Sequence, residues 1–312
     1  MERHSAAKRA MERVRDERGQ AIVLTAVWMI VLLGMAGLVI DAGSWYKGQR
    51  DLQAVADAAA LAGAQDLPDN VTNAAGDAQS YATKNGYTLP TSGVAFASKT
   101  VANDAITVNV NRAAPTFFTR LFGLTSVPVR ASATAKNGLL GKARYVAPIT
   151  VNLAHPMLSG RGCPCFGEDT TLPLDKRGAP GAFGLLDLDN GKGNGASMLG
   201  SWIMDGYNGF LGLGGYSSNT GAKFNSANVE NALDARINST LLFPVYDTLT
   251  GNGTNAVYNV VAWVGFYLTG YSISGSSGSL YGHFTEINWQ GIEADPSSGE
   301  PNLGARVVSL IN

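Results

Sequence analysis

The hydrophobic pattern of the chain is dominated by one stretch, residues 21–40, AIVLTAVWMIVLLGMAGLVI, which carries no charge over twenty positions. At about 1.5 Å of rise per helical residue it covers roughly 30 Å, the thickness of a bilayer's hydrocarbon core. Inside lipid every backbone N–H and C=O needs an internal partner, so a helix is the solution open to a single segment. The pattern predicts a transmembrane helix over 21–40, an anchor that includes Ala21, Trp28, Gly37 and Ile40 and takes the lipid bilayer as its partner. The stretch is longer than the roughly 7 to 15 residues of a signal-peptide core, and no A-x-A site ends it, so an uncleaved anchor is expected. Gly34 and Gly37 are three apart, which is not the GxxxG spacing of a tight helix dimer.

Helical periodicity continues past the span. Trp45, Gly48, Leu52, Val55, Ala59 and Ala62 recur at spacings of three and four, with Lys47, Arg50 and Asp57 set off that line. Eight alanines between Asp41 and Gln65 favour helix and keep its surface shallow. Trp45, Leu52, Val55 and Ala59 therefore form a docking stripe with two open uses, packing on the protein's own domain or forming a homo-oligomer through the Ala-rich helix. Pro68 and Asn70 end the pattern. A second helix over 72–85 should stop at Asn85-Gly86. Residues 105–111 and 127–135 alternate with period two, as half-buried strands do. Between them, 115–122 reads as a short helix with Phe117, Phe118, Leu121 and Phe122 turned inward. Beyond residue 143, strand-like runs recur at 145–152, 183–188, 241–246, 258–269 and 306–311. Two helical patterns, 198–207 and 228–237, interrupt them, the second with Asn225 and Ser226 as caps.

The expected fold class is α+β: one N-terminal transmembrane helix extended into a long helix, a small α+β unit, and a β-rich α+β C-terminal domain. The expected divisions are a basic cytoplasmic segment 1–20, the transmembrane helix 21–40, and an extracytoplasmic helix with a small α+β unit over 41–136. A linker at 137–143 follows, suggested by Asn137-Gly138 and Gly141, and then a β-rich extracytoplasmic domain over 144–312.

Charge adds direction to this plan. Residues 2–18 carry six basic side chains against four acidic ones, directly before the span, while Trp45 and Tyr46 follow it where an interfacial aromatic belt would lie. The N-terminus is expected in the cytoplasm and the C-terminus outside, in a single-pass cell-membrane protein. Over the 312 residues, Lys plus Arg number 23 and Asp plus Glu 24, which leaves no basic field for nucleic acid. Charged residues are 15% of the chain against about 25% in ordinary soluble proteins, so the polar surface is mostly uncharged.

Candidate chemistry is sparse. Asp187, Asp189 and Asn190 offer the oxygen ligands calcium prefers, but Gly191, Lys192 and Met198 stand where an EF-hand loop needs a ligand, a glycine and a glutamate. A tight turn explains the run equally well, and no other cofactor is implied. Cys163 and Cys165 are disulfide candidates: a bridge to each other, a bridge to another protomer, or metal ligation with His155 are all open, the last lacking a fourth ligand. No G-x-S-x-G, H-E-x-x-H, P-loop or dinucleotide fingerprint is present, so a non-enzyme is expected. Asp187 and Asp189, on one face of a strand, would be the acid pair of a glycan-cleaving alternative. Trp263, Phe266, Tyr267 and Tyr271 would line its groove, although sheet packing is their ordinary use.

The run from Arg18 to Ala64 resembles the N-terminal region of the TadG-like (TadE/G-like) proteins of tight-adherence, or Flp, pilus assembly. The likeness is carried by Arg18-Gly19-Gln20 before the span, Gly37 and Asp41-Ala42-Gly43 at its outer end, and Leu52-Gln53 leading into Ala56 to Ala64. The resemblance implies a membrane anchor, a pilin-like long helix, an extracytoplasmic remainder, and pilus-assembly or envelope proteins as partners. Strings similar to Phe183 to Asp189 and Phe243 to Asp247 accompany this N-terminus in some such proteins. Two departures bear on mechanism. Leu24 stands where prepilin-type substrates carry glutamate five residues after the glycine, which argues against that processing. The D-x-S-x-S metal site of a von Willebrand A domain is missing, since Asp295-Pro296-Ser297-Ser298-Gly299 fails at its last position. The expected function is a membrane-anchored, non-enzymatic component of Flp pilus assembly or surface presentation. The alternative is a membrane-tethered glycan-binding or glycan-cleaving protein.

Overall fold

The computed structural model describes residues 3–174, 184–189, 195–219, 224–274, 277–295, 297 and 299–311. One helix, α1 (Arg3–Ala64), runs unbroken through both the apolar stretch and the stripe beyond it. Over the apolar stretch its large side chains lie open, with Ile22, Ile30 and Val39 each 71% exposed. From Leu52 onward the same rod is half-buried, and Leu52, Ala56, Ala59 and Ala60 are fully covered. The helix α2 (Val71–Lys84) then lies against it through Ala74, Ala78 and Ala82, a line of small residues four apart that lets two helices approach closely. Asn70 caps α2 by accepting the N–H of Asn73 at 3.0 Å, and Asn85 closes it.

The strands β1 (Val94–Ala97), β2 (Ala105–Pro115) and β3 (Ser126–Ala143) form an antiparallel meander under these helices. Ile106, Val108 and Val110 of β2 stand opposite Ala135, Ala133 and Ala131 of β3, and all six side chains face the alanine surface of α1. The period-two alternation of the sequence thus becomes a sheet with one covered face.

The second half begins with β4 (Val151–Asn152), α3 (Pro156–Ser159), β5 (Asp169–Leu174), α4 (Ala196–Asp205), β6 (Gly214–Ser217) and α5 (Ala227–Arg236). The long strands β7 (Ser239–Thr250), β8 (Val257–Ser274) and β9 (Ser277–Thr285) follow. The second sheet has the order β4-β7-β8-β9-β5, with β6 paired to β8. Leu199 and Ile203 of α4 and Val229 and Leu233 of α5 pack on Phe243, Val264, Phe266 and Phe284 of the sheet. The expected helices at 198–207 and 228–237 are present with boundaries a residue or two earlier, and Ser226 is the cap of the second. The run 145–152 is strand only at its end, its earlier residues contributing isolated bridges such as Val146 to Leu242.

The chain then returns to the first sheet through β10 (Ile287–Asn288), β11 (Gly291–Glu293) and β12 (Ala305–Ile311). β12 pairs antiparallel with β3, Arg306 opposite Leu139 through Ile311 opposite Thr134, giving the order β1-β2-β3-β12-β10 with β11 also on β3. This corrects the linker expected at 137–143, which is the second half of an 18-residue strand. Gly138 and Gly141 are there because other chain segments press against them. A Cβ at Gly138 would overlap the Glu293 side chain, and one at Gly141 would meet the backbone of Ala294. Buried Lys136 on β3 pairs with Glu293 on β11 and donates to Thr100 Oγ1 at 2.6 Å. A third cluster, including Leu140 and Ala143 of β3, Ala305 and Val307 of β12, Trp202 of α4 and Trp263 of β8, joins the two sheets.

Candidate functional site

The chemistry that most sets this chain apart lies where α1 leaves its apolar stretch. Asp41 follows Ile40 directly and is fully buried. Its carboxylate faces the ten-residue connection 116–125 between β2 and β3. Oδ1 accepts the backbone N–H of Phe117 at 2.6 Å, Oδ2 accepts that of Thr119 at 2.7 Å, and both lie within 3.2 Å of the Phe118 nitrogen. These amides lead into a short 3-10 helix, Thr119–Phe122, with Phe118 at its N-cap position, so Asp41 caps a turn that begins 76 residues further along the chain. Burial works against the charge, and the backbone N–H groups of Thr119, Phe117 and Phe118 outweigh it, holding the carboxyl below the ordinary carboxylate range.

The connection is closed on itself as well. Thr116 Oγ1 donates to the carbonyl of Leu124, and Gly123 ends the 3-10 turn in the left-handed region at φ +85°. The Phe118 ring packs across α1 at Gly37, with its tip toward Gly34; a Cβ at position 37 would overlap the ring. Phe118 in turn meets Phe122 edge-on at 5.8 Å between centroids. The remaining apolar side chains have no cover: Phe117 is 64% exposed, Leu121 82%, Phe122 75% and Leu124 45%. This corrects the inward packing expected of Phe117, Leu121 and Phe122, since only Phe118 finds a surface, and that surface is the anchor helix. Asp41 was legible as an acidic residue just past the span but without a partner. Five large apolar residues, Phe117, Phe118, Leu121, Phe122 and Leu124, in a connection between two strands were the available signal that the loop contacts something.

The other anchor residues, Ala21, Trp28 and Ile40, are exposed on the outside of α1. The docking stripe is occupied from within the chain. Leu52, Val55 and Ala59 are buried against β2 and β3, and Trp45 packs at the edge of the same cluster. Gln53 donates to Asp57 at 2.8 Å and to the Ser132 carbonyl at 3.1 Å, tying the helix to β3.

Cys163 and Cys165 are joined to each other by a disulfide. His155 accepts the N–H of Met157 at Nδ1 (3.2 Å), caps α3 and meets Phe284 edge-on, and burial lowers its basicity. It is a structural histidine rather than a third ligand beside the cysteines. Asp187 is buried and Asp189 exposed, and Asn190 lies outside the described residues. Among the described residues, no three His, Cys, Asp or Glu side chains are grouped as a metal site.

The aromatic groove of the glycan alternative is corrected too. Trp263 and Phe266 are buried, and Trp263 donates from Nε1 to the Gly141 carbonyl at 3.2 Å. Tyr267 stacks on His283, and Tyr271 donates to Asp234 at 2.7 Å. A cleft of 380 Å³ does open beside β4, lined by Thr150, Asn152, His155, Tyr246, Asp247 and Tyr258 among others. Asp247 is the one carboxylate among its described lining residues.

These features define a single-pass, membrane-anchored α+β protein whose folded body is clamped to its own anchor helix just past the apolar stretch. Among the described residues α1 is the one helix long and apolar enough to cross a membrane. Residues 19–66 match the model of the putative Flp pilus-assembly TadE/G-like family, the family that the segment from Arg18 to Ala64 resembles. No curated protein and no solved structure matches the chain.

Proposed function

We propose that this protein is a non-enzymatic, membrane-anchored component of an Flp-type pilus assembly system, acting in assembly or surface presentation. The observation that carries the reading is the coincidence, in one continuous helix, of the family's segment at 19–66 with an unburied apolar stretch and a buried stripe. The N-terminus lies in the cytoplasm, as the basic residues before the span favour. The folded body lies outside, and the Cys163–Cys165 disulfide supports an oxidising compartment for it. The mechanical role follows from the geometry: α1 is both the anchor and the central element of the first core, so a force on the body passes directly to the bilayer. Partners are other pilus-assembly or envelope proteins, met by a surface with few charges.

Crosslinking in intact cells followed by capture of the protein tests this. Co-capture of pilus-assembly components is expected, and their absence from a capture that recovers other envelope neighbours overturns the reading. Topology is tested separately. In cells stripped of their wall, a tag after residue 312 should be digested by external protease and one before residue 1 protected. Removal of residues 1–40 should convert a protein that resists alkaline carbonate extraction into one that carbonate releases from membranes in soluble form.

A further inference from the structure

The connection 116–125 exposes Phe117, Leu121, Phe122 and Leu124 at one place, and that place is fixed relative to the anchor helix. Two independent attachments set it. The Asp41 carboxylate holds three consecutive amides at the start of the turn, and the Phe118 ring occupies the gap left by Gly37 and reaches toward Gly34. At about 1.5 Å per residue, Gly37 and Gly34 lie roughly 5 and 9 Å inside the last apolar residue, Ile40. A ring packed there is below the end of the span, not above it. The exposed side chains are therefore continuous with the exposed apolar surface of α1, where Leu38 is 52% and Ile40 59% exposed.

An aqueous loop would not carry four large apolar side chains in the open, and an exposed patch of this kind marks a contact surface. The polar groups around it suit a water–lipid boundary. Arg120, exposed on the same turn, has the long stem and charged head that reach from an apolar layer to headgroup phosphates. Tyr46, 63% exposed with the Arg50 guanidinium 6.0 Å from its ring centre, stands about two and a half turns above Gly37 where an interfacial aromatic would lie. Much of the turn's backbone is already paired, which lowers the cost of placing it at the lipid boundary: Asp41 takes the amides of Phe117, Phe118 and Thr119, and the N–H groups of Leu121, Gly123 and Leu124 bond to the carbonyls of Phe118, Arg120 and Thr119.

We propose that the connection 116–125 is a second membrane contact: Phe117, Leu121, Phe122 and Leu124 insert into the leaflet through which α1 leaves the bilayer, with Asp41 and Gly37 fixing their depth. The proposal deepens the anchored reading above and rests on it. The occupant is lipid rather than a partner protein because the patch is continuous with the lipid-facing surface of the anchor and is held at its depth. Its consequence is that the body cannot swivel freely on the anchor. Two points of entry fix its tilt relative to the membrane plane.

The test uses the full chain in nanodiscs of phosphatidylcholine and phosphatidylglycerol. A nitroxide is placed by Leu121→Cys, and separately by Leu32→Cys within the span and Ser80→Cys on the exposed side of α2. Labelling without reductant leaves the Cys163–Cys165 bridge closed. Collision with oxygen, which concentrates in lipid, is compared with collision with a water-soluble nickel chelate. The oxygen-to-nickel ratio at 121 should shift from the aqueous value at 80 toward the value at 32. An aqueous ratio at 121 with a lipid ratio at 32 overturns the proposal and leaves the anchor standing. Shielding of 121 from both reagents overturns it in favour of a protein partner or a second copy. An aqueous ratio at 32 overturns the anchored reading itself.

Discussion

Asp41 and Asp104 show how much a single carboxylate can organise when it meets backbone amides instead of a cation. Asp104, 1% exposed, accepts the N–H groups of Lys99 (2.6 Å), Thr100 (2.7 Å) and Val101 (3.1 Å) and so holds the turn between β1 and β2. Burial opposes its charge, and those amides, with Lys136 nearby, keep its carboxyl below the ordinary value of 3.8. A depressed folded value adds stability that is complete above the ordinary value and disappears as pH falls through the lower one. Acid should therefore weaken the 99–104 turn below about pH 4, and Asp104→Asn should flatten that part of a stability-against-pH curve. Asp41→Ala should free the amides of Phe117, Phe118 and Thr119, which hydrogen exchange would report as faster exchange at those three positions while the β2–β3 ladder stays protected. Trp263→Ala should lower stability by about 3–5 kcal/mol in denaturant melts, because it empties a core site and strands the Gly141 carbonyl. A glycan-groove role predicts an unchanged melt for the same variant.

At the scale of elements, α1 is one helix in two surroundings, and the sequence shows why it does not break between them. Neither proline nor a turn signal falls between Gly19 and Ala64, and the stripe takes over its periodicity a turn after the uncharged stretch ends. The two halves should respond differently to the same truncation. Leu52→Ala, at a fully buried position against β2 and β3, should cost roughly 2–5 kcal/mol. Leu32→Ala, at an exposed position in the apolar stretch, should leave the melt of the folded body unchanged. Most long elements were legible in this way: α1, α2, β2, the first half of β3, α4, α5, β7 and β8 announce themselves by period and caps. The elements missed, such as β5, β6 and β9, are short, glycine-rich or half-exposed, and they become strands because β8 and its neighbours offer ladders to them.

For the whole molecule, the decisive feature is the return of the C-terminal strand to the first sheet. β12 covers the edge of β3 from Thr134 to Leu139, and the cluster around Trp263 and Val307 fills the space between the sheets. The two halves should melt as one. Deleting residues 305–312 should lower the melting temperature of both, followed by near-ultraviolet signals of the tryptophans, and a first half that keeps its original melt would show the units to be independent.

By itself the sequence determined the anchor, the helices, the principal strands and the family of the N-terminal segment, because each is written in spacing along a few neighbouring residues or in a run of uncharged ones. Tertiary structure alone decided that Gly138 and Gly141 lie in a strand, that Trp263 is core, and that Phe118 faces inward while Leu121 faces out. Each of those outcomes depends on a partner far along the chain, as Phe117 depends on Asp41 and β3 on β12. Local periodicity says which side of a segment is apolar, but which surface covers that side is set by contacts that exist only once the chain has folded.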